Sequence, residues 1–336
     1  MVWSPGSEDC MRTGKISESV LKRSVLKQCK VKNPAVIQGA GIGRDCAVFL
    51  AGEKRVVSCS VHPSVLDSTL KIRYSLEHAI NNLACSGCMP VSVMLSLLLP
   101  LDFEEERLKS IMEEADFVCR EFGIQISGGH TEATGAVNQP VLSVTALGVL
   151  KKNLIKAADI CPGLDVLVLG AIGREGTTLL VNREEEALKR RFPLGFVEEA
   201  RQLGASISVV REAIAVGELG ACALHDVSQG GIFGALWEMC EGANVGLEAD
   251  LRRIPIRQET IEVCEYLGKN PYCLLSGGAL LAVVSDGKYM VQELHKQGIE
   301  AVVIGRTTSG NGRILHNGEE IRYLERPTQD QIFGKE

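Results

Sequence analysis

The chain has 336 residues, 45% of them hydrophobic, with 35 glycines and only 4% aromatic residues. That length points to two domains, and the dominance of small and aliphatic side chains suits α/β layers. A net charge of −6 with no Lys/Arg run speaks against nucleic acid as a partner, and the longest apolar run, Val91–Leu99, is too short to span a membrane.

The start of the chain has no charged segment leading into an apolar stretch, so a cytoplasmic protein with reduced thiols is expected. Residues 1–16 are polar and should fray. Ser17–Lys30 reads as a helix with Val20, Leu21, Val25 and Cys29 on one side. Two short strands, Cys46–Leu50 and Arg55–Val61, flank Ala51-Gly52-Glu53-Lys54, a hairpin signal. Leu76, Ala79, Ile80, Leu83 and Ala84 have helical spacing, with Pro90 expected to end that helix before a strand over Val91–Leu99. Phe103–Phe122 is the clearest amphipathic helix: Leu108, Ile111, Met112, Ala115, Val118, Cys119 and Phe122 form one stripe behind three glutamates in the first turn. Ile124–Ser127 and Val141–Leu150 read as further strands.

Lys151–Gly163 is a polar connector ending in Pro162-Gly163, where the domain boundary is placed. Beyond it, Asp165–Gly170 reads as a buried strand. Helices follow around Glu184–Arg191, Val197–Leu203 and Ile207–Leu219, then a short strand at Cys222–Leu224 and a helix at Ile232–Cys240. Ala279–Val284, Gly287–Gln297 and Ala301–Ile304 complete a strand–helix–strand unit. Cys85 and Cys88 form a CxxC with no second pair at zinc spacing, so core packing is the expected role.

Four segments carry chemistry. Gly41-Ile42-Gly43-Arg44-Asp45 runs glycines into a carboxylate. Asn81-Asn82 places two amides on a small-residue helix. Ser127-Gly128-Gly129-His130-Thr131-Glu132 follows an apolar strand, and its paired glycines would let backbone N–H groups approach an anion. His225-Asp226-Val227-Ser228-Gln229-Gly230-Gly231 puts an Asp before glycines that open a helix. Each also has a purely structural alternative. Asp45 could cap a turn, the Asn pair could be satisfied helix amides, the Gly128–Glu132 segment could be a strand-to-helix turn, and Asp226 could be an N-cap.

Taken together and in this order, the four segments resemble the superfamily of AIR synthase, selenophosphate synthetase, thiamine-monophosphate kinase and HypE, most of all the HypE-like, AIR-synthase-related proteins. The resemblance covers about residues 15–325. It implies an α+β, two-domain AIR-synthase-like fold. An N-terminal α/β sheet domain, residues 17–155, would bind ATP and form a homodimer through its sheet, and a C-terminal α/β domain, residues 160–330, would pack against it. It also implies ATP and Mg²⁺ in a cleft lined by Gly43, Arg44, Asp45, Asn82, Gly128, Gly129, His130, Thr131, Glu132, Asp226, Gly230 and Gly231. Asp45, Glu132 and Asp226 would hold the metal, and ATP would activate a substrate by phosphorylation.

The chain departs from that pattern where carboxylates gather Mg²⁺. Arg44 replaces an acid before Asp45, Val61-His62 replaces Thr-Asp, and Asn81-Asn82 replaces Asn-Asp; Asp67 sits in a blurred Asp-Ile-Gly-Lys-like segment. Mg²⁺ affinity should fall, because the ion prefers hard anionic oxygens. Two outcomes follow: a dimeric scaffold or partner protein with a degenerate nucleotide site, or a site in which Arg44 meets an anionic ligand directly. The sequence ends Ile332-Phe333-Gly334-Lys335-Glu336 without the Cys of a HypE tail, so a HypE reaction on its own tail is not expected. Cys10, Cys29 and Lys15 lack the setting of a selenophosphate synthetase, and the Asp-Gly-Val-Gly-Thr-Lys loop of AIR synthase is not seen.

Overall fold

The computed structural model describes residues 16–52, 55–156, 159–326 and 329–333. The fraying expected of residues 1–16 therefore lies outside the described residues, Ile16 apart. The expected first helix is a run of irregular helical turns: α1 (Glu18–Val20), a π turn over Leu21–Val25 and a 3₁₀ turn over Leu26–Gln28.

The first domain follows as β1 (Val36–Gln38), β2 (Ala47–Leu50), β3 (Val56–Val65), α2 (Leu70–Cys85), β4 (Cys88–Leu99), α3 (Glu105–Phe122), β5 (Gln125–Ala133) and β6 (Val141–Leu150). Its six strands order β1-β2-β3-β6-β4-β5, antiparallel except for the parallel pair β4–β5. The stripe on α3 packs as its spacing predicts: Ile111, Ala115, Val118 and Cys119 are buried, and Gly123 ends the helix in the left-handed region at φ 64°. α2 is different. It buries Glu77, His78 and Asn81 along with its apolar residues, because one face meets the first sheet and the other meets the second domain.

Two local expectations are corrected here. Pro90 does not end α2; a turn with Gly87 at φ 82° does, and Pro90 lies inside β4 where the pairing with β6 slips register. Gly128–Glu132 is not a turn but part of β5. A Cβ on Gly129 would lie 1.9 Å from the Leu95 carbonyl oxygen, so Gly129 lets β4 and β5 close up beside a bulge.

The second domain comprises β7 (Asp165–Leu169), α4 (Arg174–Arg183), α5 (Glu185–Arg191), α6 (Leu194–Gln202), α7 (Val210–Glu218), β8 (Ala223–Val227), α8 (Gly231–Ala243), β9 (Gly246–Asp250), α9 (Gln258–Tyr266), β10 (Ala279–Val284), α10 (Gly287–Lys296), β11 (Ala301–Thr308), β12 (Arg313–Asn317) and β13 (Glu320–Tyr323). The seven strands order β13-β12-β9-β11-β7-β10-β8, antiparallel except for β12–β9. Alternate residues of β7 and β10 enter two different cores. Val166, Val168, Leu281 and Val283 face α8; Leu167, Leu169, Leu280 and Ala282 join a core that takes in Ala84 and Cys85 of α2. Cys85 and Cys88 are buried, as core packing requires, and burial pushes both thiols up.

Candidate functional site

The cleft begins with α2. Tyr74 donates from its hydroxyl to the Gly204 carbonyl at 2.7 Å, and Glu77 accepts from the Ile207 N–H at 2.7 Å and the Ser206 hydroxyl at 2.8 Å. Asn81 bonds the Ile207 carbonyl and the Val209 N–H, both at 2.9 Å. These bonds fasten α2 to the segment before α7, so the domains meet with little slack and the buried polar groups are satisfied. Asn81 is thus a structural amide. Asn82, named for the site, is half-buried one turn after His78 on the same face.

His78 sits at the centre of this face. Its Nε2 lies 3.0 and 3.1 Å from the two carboxylate oxygens of Glu175, and its Nδ1 lies 3.9 Å from Asp226. The ring stacks on His62 with centroids 4.7 Å apart. Burial works against a charge on His78, but the Glu175 and Asp226 carboxylates win and raise it to about 10. His62 has no such partner: burial, reinforced by the neighbouring imidazolium, lowers it to about 3. One histidine of the stack is therefore held charged and the other neutral.

β8 supplies the next two groups. It is buried throughout and pairs with β10 alone. Asp226 stays ionised despite its burial, held below the usual carboxylate range by His78 and His225. The imidazole of His225 has Nδ1 3.6 Å from Asp45 and Nε2 3.6 Å from Glu238 of α8. Burial again opposes the charge, and the carboxylates of Asp45 and Glu238 raise His225 to about 10. Asp45, His225 and Asp226 each bring a donor atom within 4.8 Å of the other two.

Asp45 reaches this cluster because its loop is pinned to α8. Gly43 has φ 65°, and a Cβ there would lie 2.7 Å from the Glu238 carbonyl; a Cβ on Gly242 would lie 2.9 Å from that of Ile42. A cavity of about 340 Å³ opens between this loop, α8 and the turns at 16–26, with Trp237, Glu238, Arg44, Asp45 and Arg326 among its walls. Arg44 is exposed, and its Nη1 donates to the Gly39 carbonyl at 3.4 Å.

The two halves of the chain match the models of two domains described as AIR synthase related protein, N-terminal domain, over residues 43–150, and AIR synthase related protein, C-terminal domain, over residues 162–316. The chain belongs to the AIR synthase related family. Within that family it is HypE-like. It is 26% identical over 331 residues to a putative hydrogenase expression/formation protein of Methanocaldococcus jannaschii, covering 95% of this chain and 96% of that one. It is 27% identical over 268 residues to a carbamoyl dehydratase HypE of Rhizobium leguminosarum bv. viciae, covering 74% and 75%. The fold matches a crystal structure of the hydrogenase maturation protein HypE in complex with ATP, with TM-score 0.67 and 17% identity over 96% of this chain and 98% of that one.

The motif residues that carried the family resemblance do not all converge in one copy of the chain. Gly43, Arg44, Asp45, Asp226 and Gly230 lie at or beside the cavity. His130, Thr131 and Glu132 lie on β5, the opposite edge of the first sheet from Asp45. The four strand spacings from β2 to β5 amount to roughly 19 Å along the sheet. His130 and Glu132 are exposed and pair with each other at 3.0 Å. Glu132 is therefore not a third ligand beside Asp45 and Asp226 within the chain. Gly230 and Gly231 also differ from the expected phosphate cradle. The Gly230 N–H donates to the buried Asp330 carboxylate at 2.6 Å, and the Gly231 N–H to the Ser228 carbonyl at 3.1 Å.

Sequence reasoning missed His78, Glu175, Glu238 and Asp330. His78 and Glu77 interrupt the apolar pattern of α2, and that break is the signal that could have flagged a buried polar face. Glu175, Glu238 and Asp330 had no comparable mark.

Proposed function

We propose that this AIR synthase related protein binds ATP or another phosphate ligand in the cleft at Asp45, His225 and Asp226, and uses it for ATP-dependent activation of a further substrate. The observation that carries this reading is the convergence of those three residues, from loops and strands about 180 positions apart, with Asp45 also lining a 340 Å³ cavity. Its support is the ATP-bound HypE structure of the same fold. In this reading Arg44, on the cavity wall, would turn from Gly39 to an anionic group, and Trp237 offers a flat apolar face.

A resident Mg²⁺ fits the site poorly. The ion takes octahedral oxygen ligands, while the cluster offers two carboxylates and an imidazole, and positions 44, 62 and 82 carry Arg, His and Asn. We therefore read the Mg²⁺ site as weakened and derive no step through it. Calorimetric titration with a non-hydrolysable ATP analogue, with and without Mg²⁺, tests the proposal. Binding in either buffer that is lost in Asp45→Asn and Asp226→Asn supports it; binding indifferent to both substitutions, or none at all, overturns it.

A second reading, a dimeric scaffold or partner protein, is favoured by one observation. The face of the first sheet turned away from α2 exposes Val61, Val65, Met94, Val91 and Val149. Such a patch marks an interface, and we place a homodimer on it, with Gly128–Glu132 at its border. Val61→Glu should then give monomers in sedimentation. The free thiols throughout the described residues, and the absence among them of a helix long and apolar enough to cross a membrane, support a cytoplasmic setting.

A further inference from the structure

The cavity beside Asp45 has an aromatic ring in its wall, and that ring is fixed from several sides. Trp237 of α8 lines the cavity. Its indole Nε1 donates to Glu18 at 3.1 Å. The guanidinium of Arg313 covers one ring face, with its central carbon 3.9 Å from the ring centroid. Arg313 is 7% exposed and donates from Nη2 to Glu241 at 2.8 Å. Lys22 donates to Glu241 at 2.7 Å and pairs with Glu18. Trp237, Glu18, Lys22, Glu241 and Arg313 thus close a circuit of contacts. Arg313 takes one face of the indole and Glu18 takes its N–H, yet the ring still borders the cavity. Locking a side chain through its neighbours is how a binding surface is preorganised.

The rest of the wall suits a flat, uncharged body that carries acceptor atoms. Leu21, Val25 and Ile42 supply apolar surface. The carboxylates at the cavity are already engaged: Glu18 with Trp237 and Lys22, Asp330 with three backbone N–H groups, and Asp45 and Glu238 with His225. Two donors are not. Arg326 Nη2 and Gln329 Nε2 are buried without a hydrogen-bond partner among the described residues, and both residues line the cavity. Neither nitrogen can accept, so what each lacks is an acceptor. A buried donor left unbonded is costly. The ring nitrogens and carbonyl oxygens of a nitrogen heterocycle are acceptors set in the plane of a flat, apolar body. A volume of about 340 Å³ falls within the range of small-molecule pockets.

We propose that this cavity binds a planar nitrogen heterocycle, stacked on the open face of Trp237 with its acceptor atoms meeting Arg326 and Gln329. The proposal rests on the cleft being a ligand site and names the class of ligand it takes. The ring belongs either to the nucleotide or to the substrate the nucleotide activates; the recognition chemistry is the same.

The test uses the full chain with Trp3→Phe, which leaves Trp237 as the only tryptophan, so its fluorescence reports on the cavity. It is titrated with the phosphate-free heterocycles adenosine, cytidine, nicotinamide and 2-aminopyrimidine, with ribose 5-phosphate and cyclohexanol as controls. At least one heterocycle should quench Trp237 saturably, and neither control should. Trp237→Leu should weaken calorimetric binding of that heterocycle by about 5- to 150-fold, the range of a stacking contact, and Trp237→Phe by less. The quenching keeps the test decisive if Trp237→Leu fails to fold. A non-hydrolysable ATP analogue then assigns the source: displacement of the heterocycle places the nucleotide base on Trp237, and simultaneous binding places the further substrate there. The analogue's own binding is read separately in the calorimeter, so failure of the nucleotide reading and failure of this one are distinct. No saturable quenching by any heterocycle, equal quenching by a control, or unchanged affinity in Trp237→Leu would overturn the proposal.

Discussion

Two segments of this chain pair glycines with a histidine and a carboxylate, and they end in opposite surroundings. His225 and Asp226 are 5% and 4% exposed on β8, ringed by His78, Asp45 and Glu238. His130 and Glu132 lie on the edge strand β5 with their side chains 65% and 51% exposed and mainly each other for company. The residue types are nearly the same. What differs is the second layer: α2 and the Gly41–Asp45 loop cover β8, whereas α3 packs against β5 only near Ile126 and leaves Gly128–Ala133 exposed. On the covered side, burial and charged neighbours act together on each group, as they do on Asp226 and His225.

The sharpest way to break this comparison is to remove a charge from the covered side. Glu175→Ala leaves the His78 imidazolium and the Gly277 N–H without their acceptor. A loss of about 3–5 kcal/mol is expected in urea unfolding, the cost of stranding a buried charge. A loss below 1 kcal/mol would show that His78 gives up its proton instead.

The next effect belongs to β5. Gly129→Ala places a Cβ against the Leu95 carbonyl at φ 153°, and a loss of about 1–3 kcal/mol is expected from the forced backbone shift. An unchanged denaturation midpoint would mean that the bulge opens freely, contrary to the close pairing of β4 and β5.

The covered histidines also set the shape of stability against pH. His78 and His225 have folded values raised to about 10 from an ordinary 6.5. Their contribution is complete below pH 6.5 and is lost as pH climbs through 10. His62 is held down to about 3, so its contribution is present above pH 6.5 and is lost as pH falls toward 3. The urea midpoint should therefore peak near pH 6.5. His62→Phe should flatten the acid limb and leave the alkaline limb in place; a variant that flattens neither limb, or the alkaline one, contradicts the assignment.

The smallest effect is expected where water is free to enter. Glu132→Gln breaks only an exposed pair and should move stability by less than about 1 kcal/mol in thermal unfolding. A larger change would mean that β5 is covered in solution, which the proposed dimer across the neighbouring apolar face would explain.

Much of the fold was legible in the order of residues. The stripe on α3, the strand–helix–strand unit at Ala279–Ile304 and the hairpin of β2 and β3 follow from periodicity and turn chemistry, which act between neighbours in the chain. The motif order also carried the family. What misled were short signals whose meaning depends on a distant strand. Pro90 reads as a helix stop, yet it is accommodated in β4 at a bulge against β6. Gly128-Gly129 reads as an anion cradle, yet it lies in strand β5, where Gly129 lets β4 approach.

The sequence by itself determined the two-domain fold, and through the family resemblance it named Asp45, Glu132 and Asp226 as candidate ligands. The tertiary structure alone decided that His78, Glu175 and Glu238 join them, that Glu132 does not, and that Asp330 occupies the Gly230 N–H. The physical reason is that charge and hydrogen bonding are settled by what lies within about 4 Å in a medium without water. Residues separated by a hundred positions leave no periodic trace of that meeting in the chain.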